Sequence, residues 1–161
     1  MAVVEQPTSG SPHFSLRTQP ISAIIIHDTA SYTAQSALNW FANPTSRVSA
    51  HVVIDRDGTI FRVVLDSRVA WHAGISTLHG IAGCNGYSLG VELVDAVDGE
   101  DIYPAPQWRA AVEWCAEAVR RYRIPLNRIV GHCHVSPGRK IDPGTDFPWY
   151  DFLLAIAIRV L

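Results

Sequence analysis

Of the seven histidines in the chain, four stand at the edges of β-rich runs: His27, His51, His132 and His134. A histidine that closes a buried strand projects from the end of a sheet, where a cleft can form. His27 follows Ile24-Ile25-Ile26, and His132 follows Ile129-Val130-Gly131. Ten residues beyond His132 comes Asp142, within Ser136-Pro137-Gly138-Arg139-Lys140-Ile141-Asp142-Pro143-Gly144. Two imidazoles and one carboxylate can hold zinc tetrahedrally with the fourth corner left to water, the donor set of a hydrolytic metal centre. Spacing alone does not show that the three meet, and hydrogen-bonded loop histidines fit the same pattern. On bare chemistry His134 competes with His132.

Two further residues stand out by type and setting. Glu92 is the one carboxylate between Asp66 and Asp95, and it lies in an apolar run. A solvent-facing strand glutamate and a proton-transfer group both fit that position. Lys140 is the single lysine among 13 Lys and Arg residues. Its compact ammonium suits a developing oxyanion, although a surface lysine has the same spelling. Trp71-His72-Ala73-Gly74 lies in a glycine-containing stretch without clear period, as a loop around a site would. His13 and His79 carry no signal.

The elements that must position these groups read as follows. Ser22–Ile26 is a buried strand ending at His27, and 33–41 shows helical spacing closed by Asn43-Pro44. Ala50–Asp55 and Thr59–Leu65 form a hairpin across Asp57-Gly58. Ser88–Val94 and Ile129–Gly131 are strands. Gln107–Tyr122 and Phe147–Val160 are helices, the first with an apolar stripe through Trp108, Ala111, Cys115 and Tyr122. Strands and helices alternate around one hairpin, so the fold class is α/β: a single domain with a mixed central β-sheet and helices packed on its faces. The Pro-, Ser- and Gly-rich start makes residues 1–14 a flexible arm, with the domain over 15–161.

Composition sets outer bounds. At 161 residues, 48% hydrophobic and 17% charged, the chain has material for one core. A net charge of −2 argues against nucleic acid and anionic membranes as partners. The start lacks the basic and apolar regions of a secretory signal, and no apolar run approaches a membrane span. The expectation is a monomer made in the cytoplasm, acting there or on the cell wall after release by lysis. The odd set Cys84, Cys115 and Cys133 is not a disulfide framework. Buried free thiols are expected, with a Cys84–Cys115 or Cys84–Cys133 bridge left open.

Three segments together carry a family likeness: Ile24-Ile25-Ile26-His27-Asp28-Thr29, Ser49-Ala50-His51-Val52-Val53-Ile54-Asp55-Arg56-Asp57-Gly58, and Gly131-His132 with Ser136 to Gly144. In order and spacing, from about Ile21 to Trp149, the chain resembles the zinc N-acetylmuramoyl-L-alanine amidases. These include cell-wall recycling amidases, phage amidase endolysins and peptidoglycan recognition proteins. The resemblance implies Zn²⁺ held by His27, His132 and Asp142, with His134 beside the site or at the surface. It implies Glu92 as the acid–base group, where some relatives use a tyrosine, and Lys140 as the oxyanion partner. His51 and His72 match positions near the family's cleft and are expected to orient the substrate or a metal ligand, while Trp71 is expected as a wall for sugar or peptide, a core tryptophan having the same pattern. The implied reaction is hydrolysis of the amide between the lactyl group of N-acetylmuramic acid and L-alanine in peptidoglycan or muropeptides. A phage-endolysin-like lytic role is the first expectation, with a cytoplasmic muropeptide-recycling amidase and a non-catalytic peptidoglycan-binding module as alternatives. A 2-His-1-carboxylate iron oxygenase usually carries an HxD or HxE pair on one strand, which this chain lacks.

Overall fold

The computed structural model describes residues 5–8, 10–95 and 103–161. In chain order the first elements are β1 (Glu5–Pro7), β2 (Phe14–Leu16), β3 (Ala23–Asp28), α1 (Ala34–Ala42), β4 (Val52–Ile54), β5 (Ile60–Arg62) and β6 (Arg68–Ala70). There follow β7 (Thr77–Leu78), β8 (Ile81–Ala82), β9 (Ser88–Leu93), α2 (Ala105–Tyr122), β10 (Ile129–Gly131), α3 (His132–Val135) and α4 (Trp149–Val160).

Six strands form the main sheet in the order β1-β5-β4-β9-β3-β10. β4, β9, β3 and β10 run parallel, while β5 and β1 run the other way. This is the mixed α/β sheet the residue pattern predicts. The hairpin is β4–β5, turned at Asp57-Gly58 with Gly58 at φ 89°.

Both faces of the central strands are covered, which is why Ala23–Ile26 shows no polar alternation. Ile24, Ile26, Val52, Ile54, Leu89, Val91 and Leu93 pack against α2 and α4, meeting Trp114, Cys115, Phe152 and Ile156. On the opposite face Val53 packs with Ala34, Ala37 and Phe41 of α1, and Ala23 and Ile25 pack with Ala73, Leu78 and Tyr87. Thr33 caps α1 by accepting from Ser36 N. Gln107 ties α2 to the sheet, its Nε2 donating to Ile54 O at 3.0 Å and Val94 O at 2.9 Å.

The arm expected over residues 1–14 is in good part built into the fold, and residues 1–4 and 9 lie outside the described residues. β1 adds to the sheet edge in parallel with β5. There Glu5 accepts from Arg62 Nε at 2.7 Å and from Trp114 Nε1 at 2.8 Å. His13 is buried, and its carbonyl accepts from Ser49 Oγ at 2.6 Å. These segments are polar and lack strand periodicity, so an ion pair and long-range hydrogen bonds hold them rather than an apolar stripe.

All three cysteines are free. Cys115 lies in the layer under α2, and Cys84 lies on the opposite side of the sheet. No helix among the described residues is long and apolar enough to cross a membrane.

Candidate metal centre and catalytic cleft

Strand parity selects the face that carries chemistry. Ile24 and Ile26 point to α2 and α4, so His27 turns with Ile25 to the other face, and on β9 the same holds for Ser88, Gly90 and Glu92. Glu92 is in register with His27 on one side and Val53 on the other, which sets the carboxyl beside the imidazole in a cross-strand row. Gly131 pairs with Ile26, and the chain enters α3 there, bringing His132 next to His27. These groups stand at or near the carboxyl ends of parallel strands, the edge where open α/β sheets hold ligands.

The carboxylate arrives from the loop after α3. Cys133 N donates to Asp142 O at 2.9 Å. Pro143 packs so closely on Gly131 that a Cβ there would lie 2.8 Å from its Cδ. Arg139 pins the loop from the other side, its Nη2 donating to Ala73 O at 2.6 Å, Ile75 O at 2.9 Å and Ser136 Oγ at 2.6 Å.

His27 Nδ1, His132 Nδ1 and Asp142 Oδ2 are each 3.0 Å from the other two. Ligands at zinc bond lengths of about 2.0–2.1 Å in a tetrahedron stand roughly 3.3 Å apart, so the triangle has the size zinc requires. The donor chemistry agrees. His132 Nε2 lies 3.1 Å from Ala73 O, which can only accept, so the neutral ring carries its hydrogen on Nε2. Arg139 Nη2, 3.3 Å from the same nitrogen, has nearer oxygens for its hydrogens. With its hydrogen on Nε2, a neutral His132 would present Nδ1 toward Asp142 as a lone pair, the form in which an imidazole binds a metal ion. Among the described residues, these three side chains form the group placed to hold a metal ion. His134 is exposed; its Nδ1 accepts from Gly131 N at 2.9 Å and its ring lies 5.2 Å from that of Trp149.

Electrostatics separate the groups by task. Burial lowers His27 to about 4 against the pull of Asp142, so its ring is neutral at physiological pH. Burial would raise Asp142, but its contacts with His132 and His27 outweigh that and hold it well below the carboxylate range. Glu92 is pushed well above the usual range by burial, then by Asp142 and Asp28. Asp28 is raised to about 6 by burial and by Asp142.

A cleft of about 970 Å³ opens over this edge, lined by His27, Glu92, His132, Lys140, Trp40 and Trp71 among others. Lys140 is exposed on its rim, and its charge favours the ionised form of Glu92. Trp71 forms part of the wall, anchored by Nε1 donating to Ser15 Oγ at 2.8 Å. His72 lies buried at the floor, 3.0 Å from His27. Trp40 and Asp28 line the same cleft without having been signalled by type. Asp28 directly follows His27, and that adjacency is the one signal that could have found it.

His51, expected at the substrate, does not reach the cleft. It is 0% exposed and clamps the start of β4 to β9. Its Nδ1 accepts from Gly90 N at 2.9 Å, and its own N–H donates to Gly90 O at 3.0 Å. Burial, reinforced by Arg17, lowers its pKa to about 3. The unfolded chain takes up that proton near pH 6.5, so between about 3 and 6.5 it binds more protons than the fold, and stability falls as pH falls. From pH 7 to pH 5 this residue accounts for a loss of about 2 kcal/mol. His51→Asn retains an acceptor for Gly90 N–H but does not titrate. In urea unfolding with chelator present, the variant should lose about 2 kcal/mol less than the parent over that interval. Equal losses would show that His51 is not the source.

Residues 17–145, which contain every one of these cleft groups, match the family described as N-acetylmuramoyl-L-alanine amidase. The 1,6-anhydro-N-acetylmuramyl-L-alanine amidase AmpD of Haemophilus influenzae is 35% identical over 166 residues, covering 91% of this chain and 89% of that one. A crystal structure of a Se-Met AmpD derivative superposes with a TM-score of 0.84 at 29% identity, covering 94% and 93% of the two chains. The Escherichia coli amidase AmiD, in complex with the substrate anhydro-N-acetylmuramic acid-L-Ala-D-gamma-Glu-L-Lys, gives 0.75 at 27% identity, covering 94% of this chain and 60% of that one. A match that spans most of the chain and runs through its cleft, joined to a relative alike along nearly its full length, shows that this protein belongs to the N-acetylmuramoyl-L-alanine amidase family.

Proposed function

We propose that this protein is a zinc-dependent amidase that hydrolyses the bond between the lactyl group of N-acetylmuramic acid and L-alanine, acting on soluble 1,6-anhydro-muropeptides. The observation that carries the zinc chemistry is the meeting of His27 Nδ1, His132 Nδ1 and Asp142 Oδ2 at 3.0 Å. The preference for anhydro-muropeptides over intact wall rests on the likeness to AmpD along nearly the whole of both chains. It sets the soluble-fragment role ahead of the lytic one expected first.

Held by these three residues, zinc supplies Lewis acidity toward the scissile carbonyl and a water acidified toward neutral pKa. Glu92 takes the proton of the attacking water and delivers it to the departing alanine nitrogen. Its raised proton affinity, set by burial beside Asp142 and Asp28, suits a group that must accept a proton and then return it. Lys140, exposed at the rim, brings an ammonium to the negative charge that develops on the lactyl carbonyl oxygen. Trp71 and Trp40 offer apolar walls to sugar or stem peptide.

Mass spectrometry of digests tests the reading. Incubation with anhydro-N-acetylmuramyl peptides should release the sugar and a peptide beginning with L-alanine, stop on chelation and resume on adding zinc. Cleavage at another bond, or turnover indifferent to chelator, would overturn it. Faster release from intact sacculi than from soluble fragments would restore the lytic role.

A further inference from the structure

A line of hydrogen bonds leads from His27 away from the cleft. His27 Nε2 lies 3.0 Å from His72 Nδ1, His72 Nε2 lies 3.2 Å from Ser88 Oγ, and Ser88 Oγ donates to Cys84 O at 2.6 Å. The direction of every bond follows from counting hydrogens. A carbonyl only accepts, so the Ser88 hydroxyl uses its one hydrogen on Cys84 O. Toward His72 the same oxygen can then only accept, which places the hydrogen of neutral His72 on Nε2. His72 Nδ1 is left as a lone pair and accepts from His27 Nε2–H. His27 Nδ1 is therefore bare, on the side of Asp142 and His132.

The His72 ring that links the two ends is closely packed. His72 lies against the backbone of Gly90, where an added Cβ would be 2.5 Å from its Cγ. Asn85 Oδ1 accepts from His72 N at 3.2 Å and from Ala73 N at 2.7 Å, fixing the main chain on either side.

We propose that His72 and Ser88 are positioning residues that lock His27 as the Nε2–H tautomer and aim its Nδ1 at the metal. The inference rests on the zinc reading above for its purpose, though not for its geometry. Partners of this kind on ligating histidines raise metal affinity by about 10–100-fold. The pair also explains why β9 carries a hydroxyl at Ser88 and no side chain at Gly90, two rows before Glu92.

The test uses the full chain and three variants. His72→Phe keeps the ring shape but offers no acceptor, His72→Asn restores an acceptor at the δ position, and Ser88→Ala removes the pin on His72. Zinc affinity is read by competition with a chromophoric chelator, and ring tautomers by ¹⁵N NMR. His72→Phe should weaken zinc binding by about 10–100-fold, and His72→Asn should recover most of it. In the parent protein His72 should carry its hydrogen on Nε2, and Ser88→Ala should release that preference. Unchanged zinc affinity in His72→Phe, or His72 protonated on Nδ1 in the parent, would overturn the inference. Should His72→Phe fail to fold, the parent's tautomer and Ser88→Ala still decide it. A parent that binds no zinc would remove the zinc reading, while the tautomer of His72 in the same sample would judge the relay separately.

Discussion

Glu92→Gln is expected to lower turnover by about 10²–10⁴-fold while leaving zinc binding at one ion per chain. Glu92 is 8% exposed and stands in register with His27, yet it is not one of the three side chains placed to hold a metal ion. Glutamine preserves its volume and a hydrogen-bonding carbonyl but cannot carry a proton from water to the leaving nitrogen. The loss should therefore fall on kcat, with KM close to that of the parent. Single-turnover rates on an anhydro-muropeptide, with zinc content measured on the same sample, give both numbers. A variant that retains more than about a tenth of parental kcat would take proton transfer away from Glu92.

Removing a ligand has the other large effect, and it discriminates between two neighbouring histidines. His132→Ala should abolish zinc binding and lower activity on the order of 10³-fold or more, since the metal contributes several kcal/mol to the transition state. His134→Ala should leave both nearly intact, because His134 is exposed and its ring nitrogen is already engaged with Gly131 N. Metal analysis after gel filtration, paired with turnover, reads the contrast. Zinc retained by His132→Ala but lost from His134→Ala would reverse the assignment. The structural side effect is informative as well. Asp142 owes its low pKa largely to His132 and His27, so the His132 variant holds a carboxylate with one partner fewer and should be less stable near neutral pH without metal.

Much of the framework was legible from local pattern. The β-branched run before His27, the Asp57-Gly58 turn and the stripe of α2 each obey a short-range period or turn preference, and each element is found where that pattern places it. The apolar setting of Glu92 left a solvent-facing and a buried carboxyl both open, and the packing of both sheet faces buried it. Other features had no local signature. β1 is a three-residue strand, Glu5-Gln6-Pro7, held by Glu5 against Arg62 and Trp114, contacts more than fifty residues distant in sequence. His51 shares its strand-edge setting with His27, yet it turns inward to the backbone of Gly90 while His27 turns to the cleft.

Residue type and spacing by themselves determined which elements form, which side chains have the chemistry of a hydrolytic metal site, and which family motif they spell. They could not determine that His27 and His132, 105 positions apart, share one edge. That follows from β3 lying between β9 and β10 in the sheet, an order set by the packing of both faces and not by any local period. Tertiary structure likewise brought His132, and not His134, beside His27 and Asp142, buried His51 away from the cleft, and set the nitrogen each ring presents. Tautomers depend on the hydrogen-bond partner at the far side of the ring, and those partners, Ala73 O for His132 and His72 for His27, come from a distant loop.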